Sequence, residues 1–356
     1  MMFPFIRVLR RLARLAMFAK VKYIVAAAFA LLVLDQLGVF HRVFELDFDT
    51  EFSYPLDLNG RRILWQLEQG QEPGYKAINS YEHYRFKVRN EDKCKQTTPR
   101  VVLVIKSALQ NRERRDAIRR SWGYEGRFSD VPLRRVFIVG TGNSAIQDAI
   151  DSEQAVHGDL VQADFVDAYY NNTIKTMIGF RWVYNYCPEA HFVMFVDDDY
   201  YVSMKNLLRF LRNPLDVSPA DDSAQESRVS DGRLYAGYVF QSSRPMRHRF
   251  SKWYLSLEEY PFSRFPPYVT AGAFVLSSPA LRDMYQMSKY TRHFRFDDIY
   301  LGIVAHKAGV VPLHSDRFHF WEQSGEPAQG VVAAHGFGDP GQLVRVWERQ
   351  KARGDA

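Results

Sequence analysis

A run of five apolar residues, Phe192-Val193-Met194-Phe195-Val196, passes directly into three carboxylates, Asp197, Asp198 and Asp199. An unbroken apolar run of this length suits a strand buried on both faces, as parallel sheets require. Open α/β sheets bind ligands at the C-terminal ends of their strands, so the acids fall where a ligand would sit. Along an extended chain Asp197 and Asp199 point the same way. Two carboxylates so placed can share a hard cation, which takes oxygen ligands and bridges to phosphates. The other reading is a solvated turn before the helix that starts near Ser203. Strand-end position alone does not separate the two.

Strand and helix signals alternate on the way to this point. Arg100–Lys106, Arg134–Gly140 and Leu160–Phe165 read as strands. Between them, Gln110–Gly123 places Ala117, Ile118 and Trp122 at helical spacing with Gly123 as its stop, and Ala145–Val156 can be a second helix. Asn172–Cys187 reads as a third, ended before Pro188. The alternation predicts an α/β domain on a mostly parallel central sheet. Residues 213–231, polar with Pro214 and Pro219, read as a mobile surface loop. Apolar and aromatic stretches follow at 234–240, 250–260 and 265–277, then a helix from Pro279 to Met287. Asp297-Asp298 opens a last helix reaching His306, with Gly309 just past its end.

The net charge of +6 belongs to the N-terminus. Arg7, Arg10, Arg11, Arg14, Lys20 and Lys22 precede the first acid, Asp35, and without them 41 basic and 41 acidic residues remain. A neutral body argues against nucleic-acid binding, which needs a basic patch. The basic segment leads into the apolar run Tyr23–Leu34, which resumes at Leu37–Phe40. A span over 23–40 is long enough to cross a bilayer, and bases before it with none just after hold the N-terminus in the cytosol. No small-x-small cleavage site follows Leu34, so an uncleaved anchor is expected rather than a removed signal. The expected layout is a basic tail (1–22), a transmembrane signal anchor (23–40), a luminal stem partly packed on the body (41–98), a catalytic body (99–345) and a C-terminal tail (346–356). Cys94 and Cys187 are the two cysteines, and Asn171-Asn172-Thr173 is a glycosylation sequon.

Asp297-Asp298 at a helix start has two readings. Acids there cap free N–H groups and complement the helix dipole. Beside a metal-bearing triplet, the same pair supplies a general base. The aromatic segment 250–268 is either core or a set of rings on which sugars stack.

Five motifs occur in order: Arg114-Arg115…Ile118-Arg119…Trp122-Gly123; Asp167-x-Tyr169-x-Asn171-x-Thr173-x-Lys175-Thr176; Val196-Asp-Asp-Asp199; Pro266-Pro267-Tyr268…Gly272; and Asp297-Asp-Ile-Tyr-Leu-Gly302. Each is weak alone, but the ordered set resembles the animal β-1,3-glycosyltransferase family of the Golgi, which holds galactosyl- and N-acetylglucosaminyltransferases. Residues 122–130, 252–261 and 268–274 are most similar to its brainiac-type branch, β-1,3-N-acetylglucosaminyltransferases of glycolipids. The resemblance implies a GT-A-like fold with an acceptor-binding half, a UDP-sugar donor, Mn²⁺ and inversion at the anomeric carbon. It implies that Asp199, helped by Asp197 or Asp198 and completed by His335, holds the metal. Arg115, Arg119 and Lys175, with Asp197 and Asp198, would lie near the nucleotide. Asp298 would be the base, with Asp297 the alternative, and Trp253, Tyr254, Tyr268 and Gly272 would meet the acceptor. The expected reaction moves N-acetylglucosamine from UDP to a glycolipid such as a mannosyl-terminated glycosphingolipid. The alternatives are galactosyl transfer and a scaffold that binds sugar nucleotide without transfer. Many family members carry more luminal cysteines than this chain, and a Cys94–Cys187 bridge is one arrangement open to it.

Overall fold

The two most apolar runs lie side by side. In the computed structural model, which describes residues 3–214, 232–323 and 325–356, β2 (Val101–Lys106) and β5 (Phe192–Asp197) pair in parallel, with Lys106 opposite Asp197. All of β2 and the middle of β5 are buried, which is why both read as unbroken apolar runs rather than alternating ones. β3 (Leu133–Thr141) and β4 (Leu160–Val166) extend the parallel half beyond β2. Parallel neighbours need crossovers, and α5 (Arg112–Arg120), α6 (Ser144–His157) and α7 (Asn172–Tyr186) supply them.

Past β5 the expectation of a mostly parallel sheet fails. β8 (Tyr268–Ser277) pairs antiparallel with β5, and β7 (Tyr235–Phe240) antiparallel with β8. β9 (Leu313–His314) and β1 (Phe86–Val88) form the edges, giving the order β1-β4-β3-β2-β5-β8-β7-β9 among the described residues. The connections explain this: no helix stands between β7 and β8, and without a crossover strands return antiparallel. The reversal carries the start of β8 to the C-terminal end of β5, with Ala273 opposite Val196. A small second sheet grows from the acids themselves. β6 (Tyr200–Val202) pairs antiparallel with β11 (Ala333–His335), which runs parallel to β10 (Phe318–Glu322).

Most of the expected stem belongs to the larger compact unit, Ser53–Ser242 with Pro266–Ala356. Tyr54, Tyr81 and Ile63 on α4 (Gly60–Glu68) are buried, and β1 joins the sheet. Lys307 Nζ donates to the Tyr54 carbonyl at 2.7 Å. Cys94 is bonded to Cys187 at the end of α7. These aromatics look like spacer in sequence because their partners are far along the chain. Residues 346–356 are no tail either. The helix over Pro340–Ala352 buries Val346 and Trp347, and Ser203 Oγ donates to the Asp355 carbonyl at 2.5 Å. The loop expected over 213–231 lies, beyond Pro214, outside the described residues.

The smaller unit joins the residues up to Phe52 with Ser243–Phe265. One helix, α1 (Phe3–Gln36), runs through both the basic segment and the apolar run, then breaks at Leu37-Gly38 before α2 (Val39–Val43). The expected 23–40 span is therefore not one helix: Gly38, at φ +75°, turns the chain. Among the described residues no helix is long and apolar enough to cross a membrane. Arg247 organises this unit. Its guanidinium donates to Glu45 (2.8 Å) and to the carbonyls of Leu255, Ser256, Tyr260 and Phe262 (2.8–3.2 Å), so all of its donors are engaged.

In the larger unit two arginines tie α5 to α6. Arg115 grips Glu153 at 2.8 and 2.6 Å, while Arg119 meets Asp159 at 2.9 and 2.7 Å and Glu153 at 2.6 Å. Burial opposes the charge on Glu153 and Asp159, but the arginines hold both carboxyls below their ordinary range. Depressed carboxyls contribute stability that is complete above the unfolded value, about pH 4, and is lost as pH falls towards the folded values. The denaturant midpoint should thus drop as pH is lowered below about 4. Arg119→Met leaves Glu153 to Arg115 and Asp159 to Arg135, whose Nη2 lies 2.8 Å away, and by removing charged hydrogen bonds should cost about 1.5–3 kcal/mol at neutral pH. Equilibrium unfolding at several pH values checks both, and a flat acid profile would refute the first.

Candidate active site

The C-terminal ends of β2 and β5, the start of β8 and the start of α10 (Asp297–Ala308) meet at one edge of the sheet. Lys106 stands at their centre. Its buried Nζ lies 2.9 Å from Asp197 Oδ1 and 3.1 Å from Asp297 Oδ2, and donates to the Ala271 carbonyl at 3.0 Å. Burial works against the ammonium charge, but the two carboxylates outweigh it and raise the group well above its usual range. Asp197 is pushed up to about 7 by burial and by the charges of Asp199 and Asp297, against the pull of Lys106.

The other two acids of the triplet go separate ways. Asp198 is buried and saturated: Ser107 Oγ and Asn111 Nδ2 donate to Oδ2 at 2.6 and 2.9 Å, and Arg114 Nη1 to Oδ1 at 3.0 Å. Asp199 turns instead to His335, with Oδ2 at 3.5 Å from Nε2. The β6–β11 pairing sets this meeting, since His335 lies opposite Tyr200, the residue after Asp199. Burial opposes the Asp199 charge, but His335 and Arg114 hold its carboxyl low, and the same contact raises His335. Asp199 Oδ1 and His335 Nδ1 are buried without a partner among the described residues.

The helix-start pair divides in the same manner. Asp297 Oδ2 accepts from Thr176 Oγ1 at 2.9 Å as well as from Lys106. Asp298 Oδ1 accepts the Ile299 N–H at 2.8 Å and meets no side-chain cation at ion-pair distance among the described residues. Burial, then the Asp297 charge, pushes Asp298 up to about 7.

Of the expected nucleotide contacts, Arg115 and Arg119 are turned inward. Besides Glu153, Arg115 donates to Ser107 Oγ and to the Ala108 and Leu109 carbonyls, so its five donors are engaged, and Arg119 adds Asp116 to its carboxylates. Lys175 is buried between Asp167 (2.6 Å) and the Ser107 carbonyl (2.7 Å). Arg115 and Lys175 brace the loop bearing Ser107, which donates to Asp198, and Arg119 supports Arg115 through their shared Glu153. In sequence a bracing cation and a phosphate-binding one look alike. Asp197, expected to assist Asp199 at a metal, is paired with Lys106. No three His, Cys, Asp or Glu side chains converge as a metal cage among the described residues. Tyr268 is buried against Phe240 rather than offered as a platform, and Gly272 is a seat for Tyr200. Trp253 and Tyr254 belong to the smaller unit. In the sequon, Thr173 is fully buried and Asn171 Nδ2 donates to the Val166 carbonyl at 2.8 Å. Sequence reasoning missed Lys106 and Arg114 as site residues. A lysine closing an apolar strand was the available signal for the first.

Acids and cations gathered at the strand ends of an α/β sheet suit group transfer from a phosphorylated donor. A profile of the galactosyltransferase family matches residues 113–316. The chain is 45% identical over 320 residues to beta-1,3-galactosyltransferase brn of Drosophila melanogaster, covering 89% of this chain and 92% of that one. It is 32% identical over 269 residues to human beta-1,3-galactosyltransferase 5, covering 74% and 82%. Among solved structures, the galactosyltransferase LgtC with donor and acceptor sugar analogues aligns over 72% of this chain and all of that one, at 12% identity and a TM-score of 0.36. The protein is a sugar-nucleotide-dependent glycosyltransferase, working between a sugar-nucleotide donor and a glycan acceptor. It belongs to the galactosyltransferase family and to the β-1,3-linking transferases within it.

A Cβ at Gly272 would stand 2.1 Å from Tyr200 Oη. Tyr200 is buried, and its ring packs 5.2 Å from that of His335. Gly272→Ala should therefore destabilise the fold by about 1–3 kcal/mol and disturb His335. Thermal unfolding measures the first effect and the His335 imidazole NMR signal the second. An unchanged stability and signal would show the seat to be slack.

Proposed function

We propose that Asp298 is the general base of an inverting β-1,3 transfer from a UDP-sugar, with Asp199 and His335 holding Mn²⁺. The observation that carries this is the division of labour among the acids: Asp197 and Asp297 share Lys106, Asp198 is saturated, and Asp298 keeps one carboxylate oxygen for a substrate. A carboxylate with its pKa near 7 can accept a proton at neutral pH. In the transfer, the acceptor oxygen bonds to the anomeric carbon while the bond from that carbon to the diphosphate breaks. UDP leaves with the electron pair, and the hydroxyl proton goes to Asp298. The Ile299 N–H fixes the carboxylate for this, and Lys106 with Thr176 keeps Asp297 from turning into its place.

The donor set fits a divalent cation. A carboxylate and an imidazole, each with a buried unpartnered atom, leave the remaining positions to phosphate oxygens. When bound, the cation would neutralise charge building on the departing diphosphate. The relatives' names, brn included, favour galactose as the donor sugar, and N-acetylglucosamine is the alternative that the sequence resemblance implies. A glycolipid acceptor fits membrane anchorage by α1. Its exposed residues include Tyr23, Ile24 and Phe29, and lysines such as Lys20 and Lys22 can snorkel to a headgroup layer. Bases before the apolar run and a disulfide in the body support a type II protein with its body in the Golgi lumen.

Asp298→Asn should lower kcat about 10²–10⁴-fold with UDP binding retained. In the wild type kcat/KM should fall as pH drops below about 7, where the base is protonated. Near-normal transfer by the variant would rule the assignment out. Asp199→Ala and His335→Ala should each weaken Mn²⁺ binding, read by EPR in the presence of UDP, about tenfold or more. Unaltered binding in both would place the metal elsewhere. Product linkage analysis with UDP-galactose and UDP-N-acetylglucosamine, over glycolipid and soluble acceptors, decides the donor. Binding of UDP without transfer from either would leave a scaffold.

A further inference from the structure

The smaller unit exposes an apolar surface that the transfer reaction does not explain. Phe250 is 79% exposed and Trp253 48%, although the loop carrying them is firmly built. Arg247 binds four of its carbonyls, Leu255 N donates to the Met246 carbonyl, and Trp253 N to Ser251 Oγ. Their exposure is thus a property of a fixed shape. Leu37, Val43 and Phe44, in the same unit, are more than half exposed as well. So much exposed apolar side chain on so small a unit calls for a partner.

The chain itself indicates which. Arg249 N donates to the carbonyl of Gln36, the last residue of α1, at 3.0 Å, and Arg249 Nη2 lies 3.4 Å from Asp35. At Gly38 a Cβ would stand 2.3 Å from the Arg247 carbonyl, so the two segments touch backbone to backbone. Phe250 therefore sits one residue from a direct bond to the end of the helix that carries the apolar run. Basic residues intersperse the aromatics: Arg244, Arg249 and Lys252 are exposed, and Lys252 Nζ lies over the Trp253 ring at 4.5 Å. Aromatic rings with neighbouring lysine and arginine, beside the end of the helix that carries the apolar run, match the chemistry of the headgroup layer.

We infer that the 244–253 loop is a membrane-docking surface, seating Phe250 and Trp253 among the acyl-chain ends and Arg244 and Lys252 against lipid phosphates. Rings and helix end then hold the unit flat on the bilayer that carries a lipid-linked acceptor. This rests on the anchoring of α1 proposed above, and the test separates the two. The two native cysteines are joined, so a single introduced cysteine takes a nitroxide label. The full chain is labelled at Phe250→Cys, Trp253→Cys, Phe29→Cys in α1, or Val156→Cys, exposed on α6, and reconstituted in phosphatidylcholine–phosphatidylserine vesicles. EPR then reads relaxation by oxygen, which enters lipid, and by a nickel chelate, which stays in water. Labels at 250 and 253 should be reached by the chelate several-fold less than that at 156. Chelate access at 250 and 253 equal to that at 156, with 29 still protected, overturns the docking surface and leaves the anchor. Access at 29 as well overturns both.

Discussion

Five carboxylates converge on one sheet edge, and like charges so close cannot all remain ionised without compensation. The site is built around that constraint. Lys106 is shared by Asp197 and Asp297, Arg114 with two neutral donors takes Asp198, and His335 takes Asp199. Each pairing assigns a carboxylate an orientation. Left over among the described residues are one oxygen on Asp298 and one buried atom each on Asp199 and His335.

The compensation depends on a second tier of ion pairs. Arg115 reaches Ser107, which donates to Asp198, while Glu153 and Asp159 hold Arg115 and Arg119 in place. This chain of contacts runs from α6 through α5 to the acid triplet. Losing one carboxylate of the buried set would strand a guanidinium, which costs more than the pair contributes when intact. Of the motif arginines, Arg115 fixes the loop after β2 and Arg119 fixes the carboxylates that hold Arg115.

Much of the parallel half was legible in the sequence, because a strand buried on both faces must be apolar throughout and its crossover helices carry their own start and stop signals. The triplet at the end of β5 and the pair opening α10 stood out for the same reason, as charges interrupting such patterns. What escaped was set by register between distant segments. That Lys106 faces Asp197 follows only from the pairing of β2 with β5, and that His335 meets Asp199 follows from two three-residue strands too short to show any period. The antiparallel return of β8, and the burial of Tyr54 and Tyr81 in what resembled a stem, are likewise long-range packing. Local pattern carries no information about it.

On the proposed reading, cap and base are one arrangement at Asp297-Asp298. Acids at a helix start are stabilised by the dipole by about 0.3–1 kcal/mol, which is less than one pH unit of lowering, since a unit is about 1.36 kcal/mol. Asp298 nonetheless rises from 3.8 to about 7, so burial and the charge of Asp297 overwhelm the dipole at this position. The cap bond to Ile299 remains, and it immobilises one oxygen of a group that is otherwise readily protonated. A carboxylate held by a cap and raised by a neighbour is aimed as well as basic. Asp297, whose charge raises Asp298, is itself held by Lys106 and Thr176.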